Sequence, residues 1–244
     1  MKRELAMGIN SVDALIEHSP ERLVRAWVRA TGPRLEELVR RLEEAGVAVE
    51  HCQEKALDRR AGGVRHQGVI VEFTARETLD EHGLDEVVAQ AGDEALVLVL
   101  DGVTDPNNLG ASLRSAAAAG VTAVAVPRDR AAGLTPAARR AAAGAAEIVP
   151  LAVVTNLART LDRLAEQGLR RVGLAGGAGE SLYETPLEGP LALVVGSEDK
   201  GLRRLTRERC DALVHIPMPG RVESLNVSVA VGIGLFSVLR ARNS

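Results

Sequence analysis

From residue 95 to residue 216, short apolar runs alternate with segments whose apolar residues recur at helical spacing. A strand that is apolar on both faces must be covered on both faces, which is typical of parallel sheets joined by crossover helices. The pattern therefore predicts an α/β domain with a parallel sheet. Its strands are expected at 95–100, 122–126, 148–153, 171–175, 191–195 and 213–216. The helices between them are expected at 109–119, 136–143, 156–167 and 202–209.

The segment 227–239 is almost entirely apolar or small and has helical character. Ser224 and Asn226 stand directly before it, where small polar side chains accept hydrogen bonds from the free N–H groups of a helix. A helix that is apolar on every side has to be covered on every side. We therefore expect this helix deep in the molecule or in a subunit interface, with a ligand site in front of its first turn.

Residues 1–76 have a different pattern, which predicts a small α/β domain. Its expected helices are 9–17 and 33–45, and its expected strands are 23–28, 47–49 and 69–73. Arginines and glycines at 59–66 predict a basic loop, which is either a solvated turn or a contact to RNA phosphates. An excess of acidic residues makes 77–94, which holds one short helical pattern at 84–91, the best candidate for a linker, so the second domain is expected at 95–244.

Polar or glycine-rich sequence follows four of the predicted strands, after residues 100, 175, 195 and 216. In open parallel sheets, ligands bind beyond the carboxyl ends of the strands, so this convergence predicts a small-molecule pocket. The loop after residue 100 lacks the G-x-G-x-x-G pattern of dinucleotide-binding domains, and the chain has neither a phosphate-binding P-loop motif nor a serine-hydrolase elbow. The five histidines have no metal-ligand spacing, so we expect no metal.

Composition and charge narrow the range of partners. The net charge of −3 excludes a uniformly basic surface, although a local arginine patch can still bind RNA phosphates. Aromatic residues make up 2% of the chain, which disfavours binding of single-stranded RNA by stacking of many bases. Two distant cysteines, no signal-peptide pattern and no apolar run of membrane-spanning length favour a cytoplasmic protein that does not enter a membrane.

Three motifs carry a resemblance to a known family: D-P-N-N-L-G-A-S-L-R at 105–114, V-V-G-S-E-D-K-G-L at 194–202, and I-P-M-P-G-R-V-E-S-L-N-V-S-V-A at 216–230. In this order they resemble the motifs of the SpoU/TrmH family of RNA 2′-O-ribose methyltransferases, part of the SPOUT superfamily. The resemblance implies a C-terminal SPOUT domain with a deep trefoil knot, and an N-terminal RNA-binding domain similar to ribosomal protein L30e. It also implies a homodimer with the knot and the last helix in its interface.

The resemblance further implies S-adenosylmethionine as the cofactor, bound in the knot mainly by backbone groups. Carried over to this chain, the cofactor-binding residues are Gly176, Gly196, Ile216, Met218 and Leu225. The polar residues that match the family's catalytic positions are Asn108, Arg114, Glu198, Ser224 and Asn226.

Physical chemistry limits the roles that these polar residues can take. Because a guanidinium stays protonated in proteins, Arg114 is expected to bind the target phosphate and polarise the 2′-hydroxyl rather than act as the base. Glu198 is expected to orient either Arg114 or a backbone group, and Asn226 to combine helix capping with a substrate contact. Four arginines between residues 203 and 209 are expected either as a solvated helix face or as an RNA contact.

The implied substrate is a guanosine in the peptidyl-transferase P loop of 23S rRNA, in free RNA or in a large-subunit precursor. Two alternatives stay open: 2′-O-methylation of tRNA by the same chemistry, and an RNA-binding assembly factor that has lost activity. The N-terminal domain argues against the simplest tRNA-modifying members of the family. The complete set of polar site residues argues against an inactive factor.

Overall fold

The computed structural model describes residues 3–29, 32–222 and 224–243, and the chain folds as two compact units. Unit 1 consists of Met1–Glu77 and Ala143–Ile148, and unit 2 consists of Thr78–Ala142 and Val149–Ser244. Among the described residues, no helix has the length and hydropathy that a membrane span requires.

Unit 1 is built on a mixed sheet of four strands. Its elements up to residue 77 are β1 (Arg3–Met7), α1 (Ile9–His18), a 3-10 turn (Pro20–Arg22), β2 (Leu23–Val28), α2 (Pro33–Glu44), β3 (Ala48–His51), α3 (Glu54–Ala61) and β4 (Val69–Thr74). The strand order is β1-β4-β2-β3, in which β4 is antiparallel to both neighbours and β3 is parallel to β2. Leucines at helical spacing along α2, Leu35, Leu38 and Leu42, pack with residues of β2 and β4 in the main core of the unit.

The basic segment 59–66 differs from its prediction, because Arg59 and Arg60 lie on the last turn of α3 rather than in a loop. The Arg60 guanidinium stacks 4.0 Å from the centroid of the Trp27 ring, and Arg59 Nε donates to the carbonyl of Lys55 at 3.2 Å. The sequence does not reveal α3, since only two of its residues are buried and its apolar periodicity is therefore weak. The RNA contact of this segment stays a prediction.

Unit 2 contains a seven-stranded sheet in which every pairing between the described strands is parallel. Its strands are β5 (Leu96–Asp101), β6 (Ala123–Pro127), β7 (Leu151–Val154), β8 (Arg170–Leu174), β9 (Glu180–Ser181), β10 (Leu191–Gly196) and β11 (Ala212–His215). Across the sheet the order is β7-β6-β5-β10-β8-β11-β9. The predicted parallel α/β domain is thereby confirmed, while the trefoil knot stays a prediction.

Helices follow most of these strands and cover the sheet. They are α4 (Glu81–Ala91), a 3-10 turn (Gly92–Glu94), α5 (Pro106–Ala118), α6 (Pro136–Ala142), α8 (Leu157–Glu166), α9 (Arg204–Glu208) and α10 (Val227–Arg242), while α7 (Ala145–Ile148) belongs to unit 1. α8 shows how the sequence specifies such a helix. The side chain of Asn156 accepts a hydrogen bond from the Arg159 N–H at 3.1 Å and caps its start, and Leu157, Leu161 and Leu164 place one apolar stripe in the core.

Residues 77–94, expected as a linker with one short helical pattern at 84–91, contain α4, which packs into the core of unit 2 through Leu84 and Val88. Of the acidic residues that suggested a linker, three lie on this helix: Glu86 is exposed, whereas Glu81 and Asp85 bind Thr155 and Arg163 of the same unit. Composition alone does not distinguish these two arrangements. Unit 2 consequently begins at Thr78 rather than at residue 95.

The last helix, α10, is covered on one side by its own chain and exposed on the other. The buried side consists of Val227, Val231, Leu235 and Val238, and the helix packs on α5 and β10. On the opposite side, Val229 is 49% exposed and Phe236 is 52% exposed. The expected burial of α10 is therefore met on one side within the chain, and its place in a subunit interface stays a prediction.

Candidate active site

The carboxyl ends of β5, β10, β8 and β11 lie side by side in the sheet of unit 2. The segments that follow β8, β10 and β11, together with the first turn of α10, surround a cavity of about 560 Å³. This volume falls in the roughly 300–1,000 Å³ range of small-molecule sites. The cavity is lined by all five residues predicted to bind the cofactor, Gly176, Gly196, Ile216, Met218 and Leu225.

A tight turn after β10 forms one wall of the cavity. Ser197 and Gly201 exchange two backbone hydrogen bonds, with N···O distances of 3.2 and 2.9 Å, and Gly201 has a φ of 61°. The turn folds back so closely that a Cβ on Gly196 would collide with the backbone of Gly201 and Leu202. Glycine is therefore required at residue 196 for packing and favoured at residue 201 for its backbone conformation.

Asp101, which was not among the predicted site residues, anchors the far end of this turn. It is the last residue of β5, stands in register with Gly196 of β10 and is 1% exposed. Its carboxylate accepts a hydrogen bond from the Arg203 N–H at 2.9 Å and a second one from the Arg203 guanidinium. The sequence does contain one indication of this contact, a single carboxylate at the end of an otherwise apolar strand. A carboxylate that is buried in such a place needs a hydrogen-bonding or charged partner.

A polar cluster stands at the N-terminus of α10, beside the cavity. One carboxylate oxygen of Glu198, Oε1, accepts three hydrogen bonds: from Asn108 Nδ2 at 3.1 Å, from Asn226 Nδ2 at 2.7 Å and from the Val227 N–H at 3.0 Å. Asn226 Nδ2 also donates to Asn108 Oδ1 at 3.0 Å. An anion at this place is stabilised by the unpaired N–H groups and the dipole of the helix. One of these contacts is to a backbone group, the Val227 N–H, and the orienting role expected for Glu198 stays a prediction.

Asn226 is the N-cap of α10 and uses both ends of its side-chain amide. Its Oδ1 accepts hydrogen bonds from the Ser228 N–H at 2.9 Å and from Ser228 Oγ at 2.6 Å, while its amide nitrogen donates within the cluster. The predicted capping is therefore present. The substrate contact predicted for Asn226 stays a prediction, as do the roles of the other site residues.

Ser224 and Arg114 complete the predicted polar set but stand apart from the cluster. Ser224 is exposed and lines the cavity. Arg114 is exposed on α5, six residues after Asn108, which places it about 9 Å further along the helix axis and on a different face. Within the part of the chain that the structure describes, the Arg114 side chain has no hydrogen-bond or ion-pair partner. The structure thus joins Asn108, Glu198 and Asn226 but not Arg114.

Comparison with known proteins identifies the family. The model of the SpoU rRNA Methylase family matches residues 95–236, and a model described as RNA 2′-O ribose methyltransferase substrate binding matches residues 5–79. A relative from Shewanella oneidensis, named 23S rRNA (guanosine-2′-O-)-methyltransferase RlmB, is 49% identical over 245 residues, which cover 100% of this chain and 99% of the relative. This chain belongs to the SpoU rRNA methylase family.

Further SpoU relatives agree in sequence and in fold. A Haemophilus influenzae protein, also named 23S rRNA (guanosine-2′-O-)-methyltransferase RlmB, is 50% identical over 242 residues, with 98% of each chain covered. The crystal structure of an AdoMet-bound rRNA methyltransferase from Sinorhizobium meliloti superposes with a TM-score of 0.78 at 25% identity. That superposition covers 98% of this chain and 87% of the other one.

The residues around the cavity fit S-adenosylmethionine. At Gly176 and Gly177 a Cβ would meet no protein atom within 4 Å, so these glycines leave open space beside the cavity. Val195, Ile216 and Leu225 provide apolar walls. Apolar walls with accessible backbone suit an adenosine, since most ligand sites combine hydrophobic surface with a few fixed polar groups.

One group of acidic and histidine side chains within the described residues is compact enough to be considered for a metal: Glu54, Asp58 and His66, in unit 1. Nδ1 of His66 accepts a hydrogen bond from the Gly68 N–H at 3.0 Å. The neutral ring therefore carries its proton on Nε2, which lies 3.0 Å from Asp58 Oδ1. Nε2 donates to the carboxylate in this arrangement and has no lone pair to offer a metal.

Proposed function

We propose that this protein transfers a methyl group from S-adenosylmethionine to the ribose 2′-hydroxyl of a guanosine in 23S rRNA. The proposal rests on one observation: the cavity and the polar cluster lie next to each other at the N-terminus of α10. Full-length relatives at about half identity, named for this reaction, support it. We place the target guanosine in the peptidyl-transferase P loop, as the family resemblance implies, and the reaction in the cytoplasm.

The cavity side would hold the cofactor. Gly176, Gly196, Ile216, Met218 and Leu225 would bind it through backbone groups and apolar surface. When bound, S-adenosylmethionine supplies a methyl group already activated by its sulfonium. The task left to the protein is to position the 2′-hydroxyl in line with that methyl group and to help remove its proton. Positioning of this kind contributes roughly 7–11 kcal/mol to catalysis.

The polar side would hold the ribose and its phosphate. Glu198 fixes the amides of Asn108 and Asn226 through its carboxylate oxygen, so that these groups are preorganised beside the cavity. Ser224 lines the same opening and offers a hydroxyl to the substrate. Arg114, exposed and without a partner in the described chain, is suited to bind the phosphate of the target nucleotide and to polarise its 2′-hydroxyl.

The test is to incubate the purified protein with S-adenosylmethionine and either 23S rRNA or tRNA, and to map 2′-O-methylation at nucleotide resolution. We expect one modified guanosine, in 23S rRNA, and its loss from a strain that lacks the gene. Methylation of tRNA alone would show that tRNA, and not 23S rRNA, is the substrate. Failure to bind the product S-adenosylhomocysteine would instead favour the non-catalytic assembly factor.

We also propose a homodimer that covers the exposed side of α10. Val231 is buried within the chain, so an acidic residue there would unfold the protein rather than test the interface. Phe236 is the sharper probe because it is 52% exposed on the uncovered side. Phe236→Asp should give a folded monomer by light scattering, and Leu205→Asp, a matched change at the exposed Leu205 of α9, should stay dimeric. A wild-type monomer would overturn the proposal.

We propose that unit 1 binds the RNA substrate. Support comes from the match of residues 5–79 to the substrate-binding model. Exposed arginines at Arg59 and Arg65 provide positive charge for phosphate contacts. Binding through such contacts should weaken as the salt concentration rises.

A further inference from the structure

The cavity has few charged groups for its size. Its ionisable lining residues are Glu198, Lys200, Arg207 and His215. Glu198 already accepts three hydrogen bonds within the polar cluster. Lys200 and Arg207 are therefore the permanent positive charges available along this wall.

The arginines around α9 differ in whether they have a carboxylate partner. Arg203 pairs with Asp101, Arg204 pairs with Glu208 at 2.6 Å, and Arg209 pairs with Asp162 at 2.8 Å. Arg207 faces the cavity, and among residues 3–29, 32–222 and 224–243 its guanidinium has no hydrogen-bond or ion-pair partner. A cation left without a partner at the wall of a ligand cavity is available to bind an anionic group of that ligand.

We propose that Arg207 binds the carboxylate at the amino-acid end of the cofactor. The inference rests on the proposed function, because it requires S-adenosylmethionine in this cavity. The adenosine end of the molecule suits the apolar and glycine-lined parts, whereas its carboxylate needs a charged partner once it leaves water. A guanidinium meets a carboxylate with two parallel hydrogen bonds, and this geometry favours Arg207 over the point charge of Lys200.

An RNA phosphate is the other anion that an arginine of α9 could bind. Arg207 lies on the wall of the cofactor cavity together with Leu174 and Leu202, whereas Arg204 on the same helix turns to Glu208 and does not line the cavity. Arg207 is exposed like Arg204, so exposure does not separate the two anions, but of these two arginines only Arg207 lines the cavity. The position of Arg207 therefore favours the ligand inside the cavity.

Two ligands that share the adenosine group distinguish binding of the adenosine end of the cofactor from binding of its amino-acid end. S-adenosylhomocysteine has the amino-acid end, and 5′-methylthioadenosine lacks it. Calorimetry on the full-length protein without RNA should show that Arg207→Ala raises the Kd for S-adenosylhomocysteine by roughly 10- to 100-fold, as expected for a lost charged hydrogen bond. The Kd for 5′-methylthioadenosine should not change. Arg207→Lys should recover part of the loss, and the matched control Arg204→Ala should bind both ligands like the wild type.

Several outcomes would overturn the assignment. Equal weakening of both ligands would mean that Arg207 supports the adenosine end or the fold of the wall. Unchanged Kd values combined with a raised KM for RNA would assign Arg207 to a phosphate. A selective loss in Lys200→Ala but not in Arg207→Ala would move the role to Lys200. If the wild-type protein binds neither ligand, the proposed function itself fails, which is distinct from each of these results.

Discussion

The two sides of the site are built from different kinds of chemical group. One side consists of backbone and apolar surface, and the other consists of polar side chains. The cavity side presents glycines and apolar side chains, so its shape depends on backbone geometry such as the turn at Gly196. The polar side depends on side chains: the Glu198 carboxylate joins Asn108 and Asn226, which are far apart in sequence. We expect from this difference that substitutions on the cavity side change cofactor affinity and that substitutions on the polar side change the rate of methyl transfer.

The largest separation between rate and affinity is expected at Arg114. Arg114→Ala should lower single-turnover methylation by roughly 10²–10³, the usual effect of losing one preorganised transition-state contact, while the Kd for S-adenosylhomocysteine stays unchanged. Arg114→Lys should recover little, because an ammonium does not reproduce the planar fork on a phosphate. Arg159→Ala, at an exposed arginine of α8, is the control. A loss of cofactor binding in Arg114→Ala would move this residue to the cavity side.

Glu198 lies where the two sides meet, so it tests the boundary between them. Glu198→Gln removes the negative charge that accepts three hydrogen bonds, and bonds to a charged group are worth about 1.5–3 kcal/mol. We expect kcat to fall by about 10- to 100-fold and the cofactor Kd to change less. The adjacent and exposed Asp199, changed to Asn, provides the same change in charge as a control. A Kd effect larger than the kcat effect would contradict the expected difference between the two sides.

Gly196 tests the cavity side alone. A Cβ at this residue would collide with backbone atoms of Gly201 and Leu202, so the turn must shift. Over-packing costs about 1–3 kcal/mol, and Gly196→Ala should raise the Kd for S-adenosylhomocysteine by about 5- to 100-fold with kcat at saturating cofactor near that of the wild type. Gly179→Ala is the control, because its Cβ would meet no atom within 4 Å. An unchanged Kd would show that the turn is not part of the cofactor site.

Glu81 provides a carboxylate at a helix N-terminus outside the site. The Thr155 hydroxyl, and then the Thr155 N–H, each 2.6 Å from Oε1, lower the pKa of Glu81 from 4.5 to about 2. A lowered folded-state pKa contributes stability that is present above the unfolded pKa and is lost as the pH falls through the folded one. The Tm difference between wild type and Glu81→Gln should therefore be constant near pH 7 and shrink between pH 4.5 and 2, with methylation unaffected. A pH-independent difference would assign the effect to packing.

The sequence predicted those features of the structure that depend on residues close together in the chain. Six of the seven strands of unit 2, the cap at Asn226 and the glycine-rich segments after the strands follow from residue types at short spacing, whereas the two-residue strand β9 was not predicted. The contacts of Glu198 with Asn108 and Val227 depend on β10 lying next to β5, a pairing that no local periodicity encodes. The ion pair of Asp101 and the packing of α4 into the core of unit 2 were not predicted, for related reasons. The ion pair of Asp101 and the burial of one side of α4 both depend on residues that are distant in the sequence. The acidic residues of segment 77–94 by themselves are equally compatible with a solvated linker.

The strand order has a consequence for how the chain reaches its fold. Leu96 of β5 pairs with Leu191 of β10, so one edge of β5 stays open until most of the protein has been synthesised. Closing so long a connection is entropically costly, and sheets dominated by distant pairings fold slowly. During that time an apolar strand exposes unpaired backbone groups, which is a hazard for aggregation. Translation that slows before β10 leaves the ribosome should therefore lower the yield of native protein more than a pause after β10 has emerged.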